Sequence, residues 1–148
     1  MEDISISTNK LQLDLDVIHN FLSKAYWSEN IPKWIVKKAI ENSLCFGVYD
    51  ADKQIGFARV VTDYTTFAFL ADVFILEEYR GKGLSKKLMA EVMNHPELKT
   101  IRRWMLVTKD AHGLYKQFGF TQLNNPERIM EVTTPDFYNL FKFEEPFP

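Results

Sequence analysis

The chain contains 148 residues, a length that predicts one domain spanning residues 1–148. Hydrophobic residues make up 46% of it, and a formal net charge of −2 argues against a dedicated nucleic-acid-binding protein. The single cysteine, Cys45, excludes an internal disulfide and fits a reducing compartment. No apolar run approaches the ~20 residues of a membrane span, and the start of the chain lacks an apolar signal core. We therefore expect a cytoplasmic protein that does not associate with membranes.

The first third of the chain predicts a short strand, two helices and a hairpin. Residues 4–7 form the candidate strand, and apolar residues recur at helical spacing over residues 15–25. Pro32 suits the first turn of a second helix. Two apolar runs, residues 44–49 and 55–61, flank a polar turn and predict a β-hairpin.

The middle of the chain alternates between strands and helices. Residues 67–76 are almost continuously apolar, which predicts a central strand buried on both faces. A helical stripe over residues 84–93 ends before Pro96, and residues 101–107 predict a further strand. A short helix over residues 111–117 follows. This order predicts a single-domain α/β fold.

The last part of the chain predicts a closing hairpin and a tail. The strands of the hairpin would be residues 120–123 and 128–132, joined around Asn124-Asn125-Pro126. The tail, residues 136–148, is rich in aromatic residues and proline. Packing against the domain, a homodimer contact and partial disorder all remain open for it.

A glycine-rich basic segment, residues 80–86, connects the central strand to the following helix. Backbone N–H groups and the helix dipole converge at such a turn, which favours binding of phosphate. The spacing Gly-x-x-x-x-Gly-Lys-Ser/Thr of a P-loop is absent. A dinucleotide fingerprint also fails, because Lys86 stands where its third glycine would be.

The pattern Arg80-x-x-Gly83-x-Ser85 resembles the pyrophosphate loop of the GNAT acetyltransferase superfamily. A second block, Ala111-x-x-x-Tyr115-x-x-x-Gly119-Phe120, resembles another conserved segment of that family. The resemblance covers roughly residues 15–132. It implies a mixed, mostly antiparallel sheet in which the central strand splays in a V from its neighbour, and it implies acetyl-CoA as co-substrate.

The resemblance also implies where acetyl-CoA would bind. The glycines of the loop allow close approach of the backbone to the pyrophosphate, and the strand before the loop would pair with the pantetheine arm. A backbone N–H of that strand would also stabilise the developing oxyanion. Thr108 stands where the family often has an asparagine that contacts the cofactor. The expected cofactor-binding residues are Val73, Phe74, Ile75, Arg80, Gly81, Lys82, Gly83, Leu84, Ser85, Lys86 and Thr108.

Tyr115 matches the position of the family's general acid. A neutral phenol with a pKa of ~10 can donate a proton to a leaving thiolate, although the residue could instead only pack in the core or position the sulfur. Asp72 is the first candidate for the general base and could also bind a cationic acceptor. His112 is the second candidate, because its side chain titrates near neutrality, and a water relay is the third.

The resemblance also implies that the acceptor binds at the first two helices and the loop between them. Tyr26, Trp27 and Glu29 are the candidate substrate-binding residues there, with core packing as the alternative for Trp27. The chain shows no histidine or cysteine spacing typical of a metal site. The resulting hypothesis is an N-acetyltransferase acting on a small-molecule primary amine by direct attack, because no Cys or Ser nucleophile is positioned for catalysis. A protein or peptide acceptor, a non-catalytic CoA sensor and an anion-binding structural domain are the alternatives.

Overall fold

The computed structural model describes residues 3–141 and contains one five-stranded sheet in the order β1-β2-β3-β4-β5. Strands β1 to β4 are antiparallel, and β5 runs parallel to β4. The elements in chain order are β1 (Ile4–Ser7), α1 (Leu15–Leu22), α2 (Lys33–Glu41), β2 (Leu44–Asp50), β3 (Lys53–Thr62), β4 (Phe67–Ile75), α3 (Leu84–Met93), β5 (Arg103–Met105) and α4 (His112–Lys116). The predicted fold class is confirmed.

Side chains at the helix starts explain two of these boundaries. The Asp14 carboxylate accepts hydrogen bonds from the backbone N–H groups of Asp16 and Val17 and so caps α1. Pro32 stands directly before α2, where its fixed φ suits the turn into the helix. No helix within residues 3–141 is long and apolar enough to cross a membrane.

The helices cover both faces of the sheet because side chains alternate along the strands. In β2, Cys45 packs with α1 and α2, whereas Leu44 and Phe46 belong to the core on the opposite face. In β3, Phe57 and Ala58 divide between the two cores in the same way. Helix α3 covers the core on the face opposite α1 and α2, through Leu84, Leu88, Met89 and Val92.

Strand β4 contains a β-bulge next to its centre. The β3–β4 register shifts between Phe57 and Arg59, so Asp72 and Val73 lie opposite the single residue Ala58. Asp72 has a φ of 56°, a left-handed conformation that aspartate tolerates better than most residues. The bulge therefore changes the direction of the strand at Asp72.

Strands β4 and β5 separate after a short contact. Only Phe67–Phe69 of β4 pair with Arg103–Met105 of β5, although β4 continues to Ile75. The edge of β4 from Leu70 onward consequently faces a V-shaped opening instead of a neighbouring strand. The predicted splay between the two strands is confirmed, and β5 is shorter than the predicted strand over residues 101–107.

The predicted closing hairpin is wrong. Neither residues 120–123 nor residues 128–132 form a strand, and a 3-10 turn, Pro126–Arg128, lies between them. All residues from 121 to 137 are exposed, so their apolar side chains find no core surface on which a hairpin would be stabilised. The start of the predicted tail packs on the domain, since the rings of Trp34 and Phe141 lie 6.0 Å apart. Residues 142–148 lie outside the described residues.

The close contact between β3 and β4 predicts that Gly56 tolerates no side chain. A Cβ atom at Gly56 would stand 2.7 Å from Ile75 Cδ1 and 3.0 Å from the Phe74 carbonyl oxygen. We expect Gly56→Ala to lower the free energy of unfolding by about 1–3 kcal/mol in urea titrations. Gly113→Ala is the matched control, because nothing lies within 4 Å of a Cβ there and alanine favours the helix. Equal stability of the two variants would contradict this account of the contact.

Candidate functional site

The loop after β4 presents unpaired backbone donors to open space. Gly81 and Gly83 have φ values of 81° and 77°, which residues with a side chain rarely adopt. Gly83 caps α3 without any side-chain acceptor, so the first N–H groups of that helix have no intrahelical partner. No described atom lies within 4 Å of a Cβ built on either glycine. The geometry is that of an anion-binding helix start.

The side chain of Arg80 holds the loop against the strand. Its Nε donates a hydrogen bond of 3.0 Å to the carbonyl oxygen of Ile75, the last residue of β4. Lys82 Nζ lies 5.4 Å from the centroid of the Tyr79 ring. A cavity of about 470 Å³, here called the loop cavity, is lined by Ile75, Tyr79–Gly81, Gly83–Lys86 and Leu114.

A second cavity of about 290 Å³, here called the central cavity, occupies the opening between β4 and β5. Tyr115 lines it and is only 8% exposed. Burial, with smaller contributions from Tyr26 and Asp110, raises the pKa of the Tyr115 phenol, so the hydroxyl keeps its proton at neutral pH. The other lining residues are 69–73 of β4, 106–108, 110 and 111 after β5, and Tyr26 and Trp27.

The segment after α1 covers this cavity and is attached to the far wall. The Tyr26 hydroxyl accepts a hydrogen bond of 3.1 Å from the backbone N–H of Lys109. Lys109 Nζ lies 5.4 Å from the centroid of the same ring, and the Trp27 ring packs edge-on against it at 5.1 Å. These contacts join the α1–α2 connection to the β5–α4 connection across the central cavity.

Asp72 lies at the bulge and accepts two hydrogen bonds through different carboxylate oxygens. Trp27 Nε1 donates to Oδ1 at 3.0 Å, and Arg59 Nε donates to Oδ2 at 2.8 Å. Arg59 also donates to Ser43 Oγ at 3.1 Å. The side chains of the ion pair are only 12% and 19% exposed for Asp72 and Arg59, which makes their attraction stronger than that of a surface pair.

Asp72 also borders a third cavity of about 240 Å³, here called the side cavity, between α1, α2 and the sheet. Asp72, Ala71 and Trp27 line both the side cavity and the central cavity. The remaining walls of the side cavity are mainly apolar, and its other polar side chains are Ser28, Arg59 and Tyr138. The bulge therefore places one carboxylate between two cavities.

The structure brings together several of the residues singled out from the sequence. Tyr26, Trp27, Asp72, Thr108 and Tyr115 all line the central cavity. Val73 lines it too, whereas the Phe74 side chain stacks on Phe21 at 4.0 Å on the opposite side of the strand. Thr108 Oγ1 accepts a hydrogen bond of 3.0 Å from the Ala111 backbone, so its hydroxyl stabilises the start of α4.

Besides Phe74 and Lys82, which line none of the three cavities, two further predicted site residues lie elsewhere. His112 is the exposed first residue of α4, and Glu29 is exposed on the connection between α1 and α2. Neither side chain lines the loop, central or side cavity. Sequence reasoning missed Arg59 as a site residue, although a lone charge in the apolar run over residues 55–61 was a usable signal.

Comparisons with known proteins agree with this geometry. A family model described as an acetyltransferase (GNAT) domain matches residues 41–122. A crystal structure of a GNAT-family protein from Xanthomonas campestris pv. campestris superposes with a TM-score of 0.90 and 47% identity over 93% of this chain and 98% of that one. A Gibberella zeae protein named as a candidate acetyltransferase is 30% identical, with 76% of each chain covered. The chain belongs to the GNAT acetyltransferase family.

A more distant structure shares the fold alone. A protein from Clostridium acetobutylicum described as a predicted acetyltransferase, whose crystal structure contains acetyl-CoA, superposes with a TM-score of 0.59 at 12% identity. The match covers 90% of this chain and 96% of that chain. This likeness concerns the fold; the acyltransferase class of the protein rests on its membership of the family.

The buried ion pair predicts strong energetic coupling between Asp72 and Arg59. We expect Arg59→Met to lower the free energy of unfolding by about 3 kcal/mol, because it leaves a poorly solvated carboxylate without its cation. The double variant with Asp72→Asn should lose at least ~1 kcal/mol less than the sum of the single losses. Urea titrations of the four proteins measure this coupling.

The exposed pair Lys37–Glu41 provides the control cycle. Its atoms lie 3.5 Å apart, but both side chains are largely in solvent. The variants Lys37→Met and Glu41→Gln should therefore be additive. If the losses of unfolding free energy caused by Arg59→Met and Asp72→Asn were additive as well, the ion pair would not hold the site together.

Proposed function

We propose that the protein is an acetyl-CoA-dependent N-acetyltransferase that acts on the primary amine of a small molecule. The observation that carries this proposal is the position of Tyr115, buried in the opening between β4 and β5. The neighbouring residue Leu114 lines the loop cavity, so α4 borders both the anion-binding loop and the central cavity. Membership of the GNAT family supports the acetyl donor.

The residues of the loop and of β4 fit acetyl-CoA. The N–H groups at the start of α3, together with Ser85 and Lys86 in the loop cavity, would hold the pyrophosphate. The edge of β4 beyond Phe69 has no partner in β5, so we propose that the Val73 carbonyl and the Ile75 N–H pair with the amides of the pantetheine arm, while the Ile75 carbonyl accepts from Arg80. Bound acetyl-CoA supplies the thioester that is attacked.

Two groups of the chain would act on the reacting atoms. The backbone N–H of Val73, beside the bulge, is our candidate to stabilise the negative charge that develops on the carbonyl oxygen. The Tyr115 hydroxyl would donate its proton to the sulfur as the carbon–sulfur bond breaks. Since burial raises the pKa of this phenol, the proton is retained at the neutral pH at which the amine would attack the thioester.

Asp72 is our candidate to receive the acceptor. Each carboxylate oxygen can accept more than one hydrogen bond, so the contacts with Trp27 and Arg59 leave room for an ammonium group. Asp72 would hold this ammonium at the boundary of the central and side cavities and accept its proton, directly or through water. Volumes of about 290 and 240 Å³ suit a small amine better than a folded protein segment.

Direct attack by the amine in a ternary complex fits the chemistry of Cys45. This thiol lies in β2, is buried, and has a pKa raised to about 11 by burial. A thiolate is therefore scarce at neutral pH, and Cys45 does not line the central cavity. We accordingly propose no acetyl-cysteine intermediate.

Removal of the Tyr115 hydroxyl tests the proposed acid. We expect Tyr115→Phe to lower kcat by about 10²–10⁴-fold with little change in the KM for acetyl-CoA, because the proton donor is lost while binding groups remain. The assay is acceptor-dependent thiol release from acetyl-CoA over a panel of small amines, polyamines, amino acids and peptides. Tyr64→Phe is the control, since Tyr64 lines none of the three cavities of the site.

The outcome separates the alternatives. Acceptor-dependent release with unchanged kcat in Tyr115→Phe would remove the acid role and keep the enzyme. Release with peptides alone would favour a peptide acceptor. Tight binding of acetyl-CoA without release for any acceptor would favour a CoA-binding sensor.

Gly83 provides a test of the phosphate loop. Gly83→Ala would place a methyl group in the open space before α3, so we expect the KM for acetyl-CoA to rise by at least about tenfold. Gly119→Ala is a matched control, because Gly119 also has a positive φ of 92° and open space around its Cβ position. Both variants should lose about 1 kcal/mol of stability from backbone strain. An equal KM for the two variants would contradict phosphate binding at Gly83.

A further inference from the structure

The side cavity has the walls of a binding site for a hydrocarbon group. Its volume of about 240 Å³ has room for about eight non-hydrogen atoms, at the ~30 Å³ that one molecule of liquid water occupies. Helices α1 and α2 and strand β3 line it with apolar side chains, among them Leu22, Val36, Ile40 and Phe57. None of these side chains carries a hydrogen-bonding atom, so a ligand in the side cavity gains by burying apolar surface and loses by burying polar groups.

The charges of the side cavity are confined to one place. Among the described residues that line it, only Asp72 and Arg59 are charged, and they form the ion pair with an Nε–Oδ2 distance of 2.8 Å. The remaining polar side chains, Ser28 and Tyr138, are uncharged, and the Ser28 hydroxyl already donates to the Leu22 carbonyl oxygen at 2.7 Å. A charged group of a ligand that lies beyond the ion pair would therefore be buried without a counter-charge.

The position of Asp72 sets the orientation of a bound amine. Asp72 lines both the central cavity and the side cavity. Under the proposed function its carboxylate would hold the ammonium, and the thioester would lie in the central cavity beside Tyr115. The body of the acceptor would then extend into the side cavity, away from the acetyl group. This orientation rests on the proposed function, whereas the apolar character of the side cavity does not.

We propose that the acceptor is a primary monoamine with an uncharged apolar body of about six to eight carbon atoms, which binds with its ammonium on Asp72 and its body in the side cavity. Polyamines, aminoglycosides and peptides are poor acceptors on this account, because they would bring charged or polar groups among apolar side chains.

The reaction balances with the groups already named. The ammonium gives up two protons as its nitrogen bonds to the carbonyl carbon and the carbon–sulfur bond breaks. Asp72 passes one of these protons to solvent, and the other replaces the proton that Tyr115 gives to the sulfur. The products are an N-alkylacetamide and CoA as its thiol.

Matched acceptors give the first test. Hexylamine, ethylamine, hexamethylenediamine and aminocaproate are compared in acceptor-dependent thiol release from acetyl-CoA. Burial of each methylene contributes about fourfold, so kcat/KM should be at least about tenfold higher for hexylamine than for ethylamine. It should also be at least about tenfold higher than for hexamethylenediamine and aminocaproate, because the charge at their far end would have to leave water. Release that is equal or faster with ethylamine or hexamethylenediamine would overturn this proposal and leave the N-acetyltransferase function in place.

Variants of α2 that change the size of the side cavity give the second test. Ala39 lines the side cavity, so Ala39→Phe should lower the ratio of kcat/KM for hexylamine to that for ethylamine by at least about tenfold. Ala90→Phe is the matched control, because Ala90 is a half-buried alanine of α3 that lines none of the three cavities of the site, and its ratio should stay unchanged. Ile35→Ala enlarges the side cavity and should shift the preference from hexylamine toward octylamine. Ratios unaffected by both α2 variants would place the body of the acceptor elsewhere and overturn the proposal.

Binding without chemistry separates this proposal from the proposed activity. Calorimetric titration of hexylamine into the protein with CoA present should show at least about tenfold weaker binding for Asp72→Asn than for wild type. Asp52→Asn is the matched control, because Asp52 is exposed and lines none of the three cavities, and it should bind hexylamine as wild type does. Binding that depends on Asp72 but is followed by no acetyl transfer would support the side cavity as an amine site and overturn the proposed activity. Transfer to charged acceptors without binding of hexylamine would do the reverse.

Discussion

The architecture depends on how little of β4 is paired with β5. Three residue pairs hold the two strands together, after which β4 continues for six residues without a neighbour on that side. Backbone N–H and C=O groups left without partners in a partly buried position are costly unless a ligand or water satisfies them. The same divergence opens the central cavity, and α4 delivers Tyr115 into it. The position of the candidate site is therefore set by backbone geometry before any side chain is considered.

The bulge at Asp72 turns this opening into a polar site. Its extra residue gives β4 a left-handed φ and points the carboxylate toward Arg59 and Trp27. Burial of a charge is unfavourable, and the ion pair recovers part of that cost only while both partners stay in place. Because Trp27 belongs to the segment that covers the central cavity, the carboxylate also couples that cover to the sheet. Asp72 thus links β4, the connection between α1 and α2, and the central cavity.

Sequence reasoning was most successful where a local pattern has one physical solution. The glycines at 81 and 83 predicted a turn, and both have positive φ. The apolar residues at helical spacing after them predicted α3. Prediction from the sequence failed where tertiary contacts decide the local structure. The hairpin over residues 120–132 had the strand pattern but no core surface in its own chain. Arg59 was overlooked because its partner, Asp72, lies 13 residues away and meets it only through the β3–β4 pairing.

The short length of β5 also bears on the geometry of the proposed site. A strand of three residues, Arg103–Met105, is too short to fix its own position firmly, since isolated pairs of short strands are marginal in water. Its inner edge meets β4 only up to the point where the central cavity begins. The segment after β5 is held instead by side chains, because the Tyr26 hydroxyl accepts from the Lys109 N–H and Thr108 Oγ1 accepts from the Ala111 N–H. Since the position of that segment determines the width of the opening that contains Tyr115, the contact made by Tyr26 and the proposed binding of the cofactor would depend on the same connection.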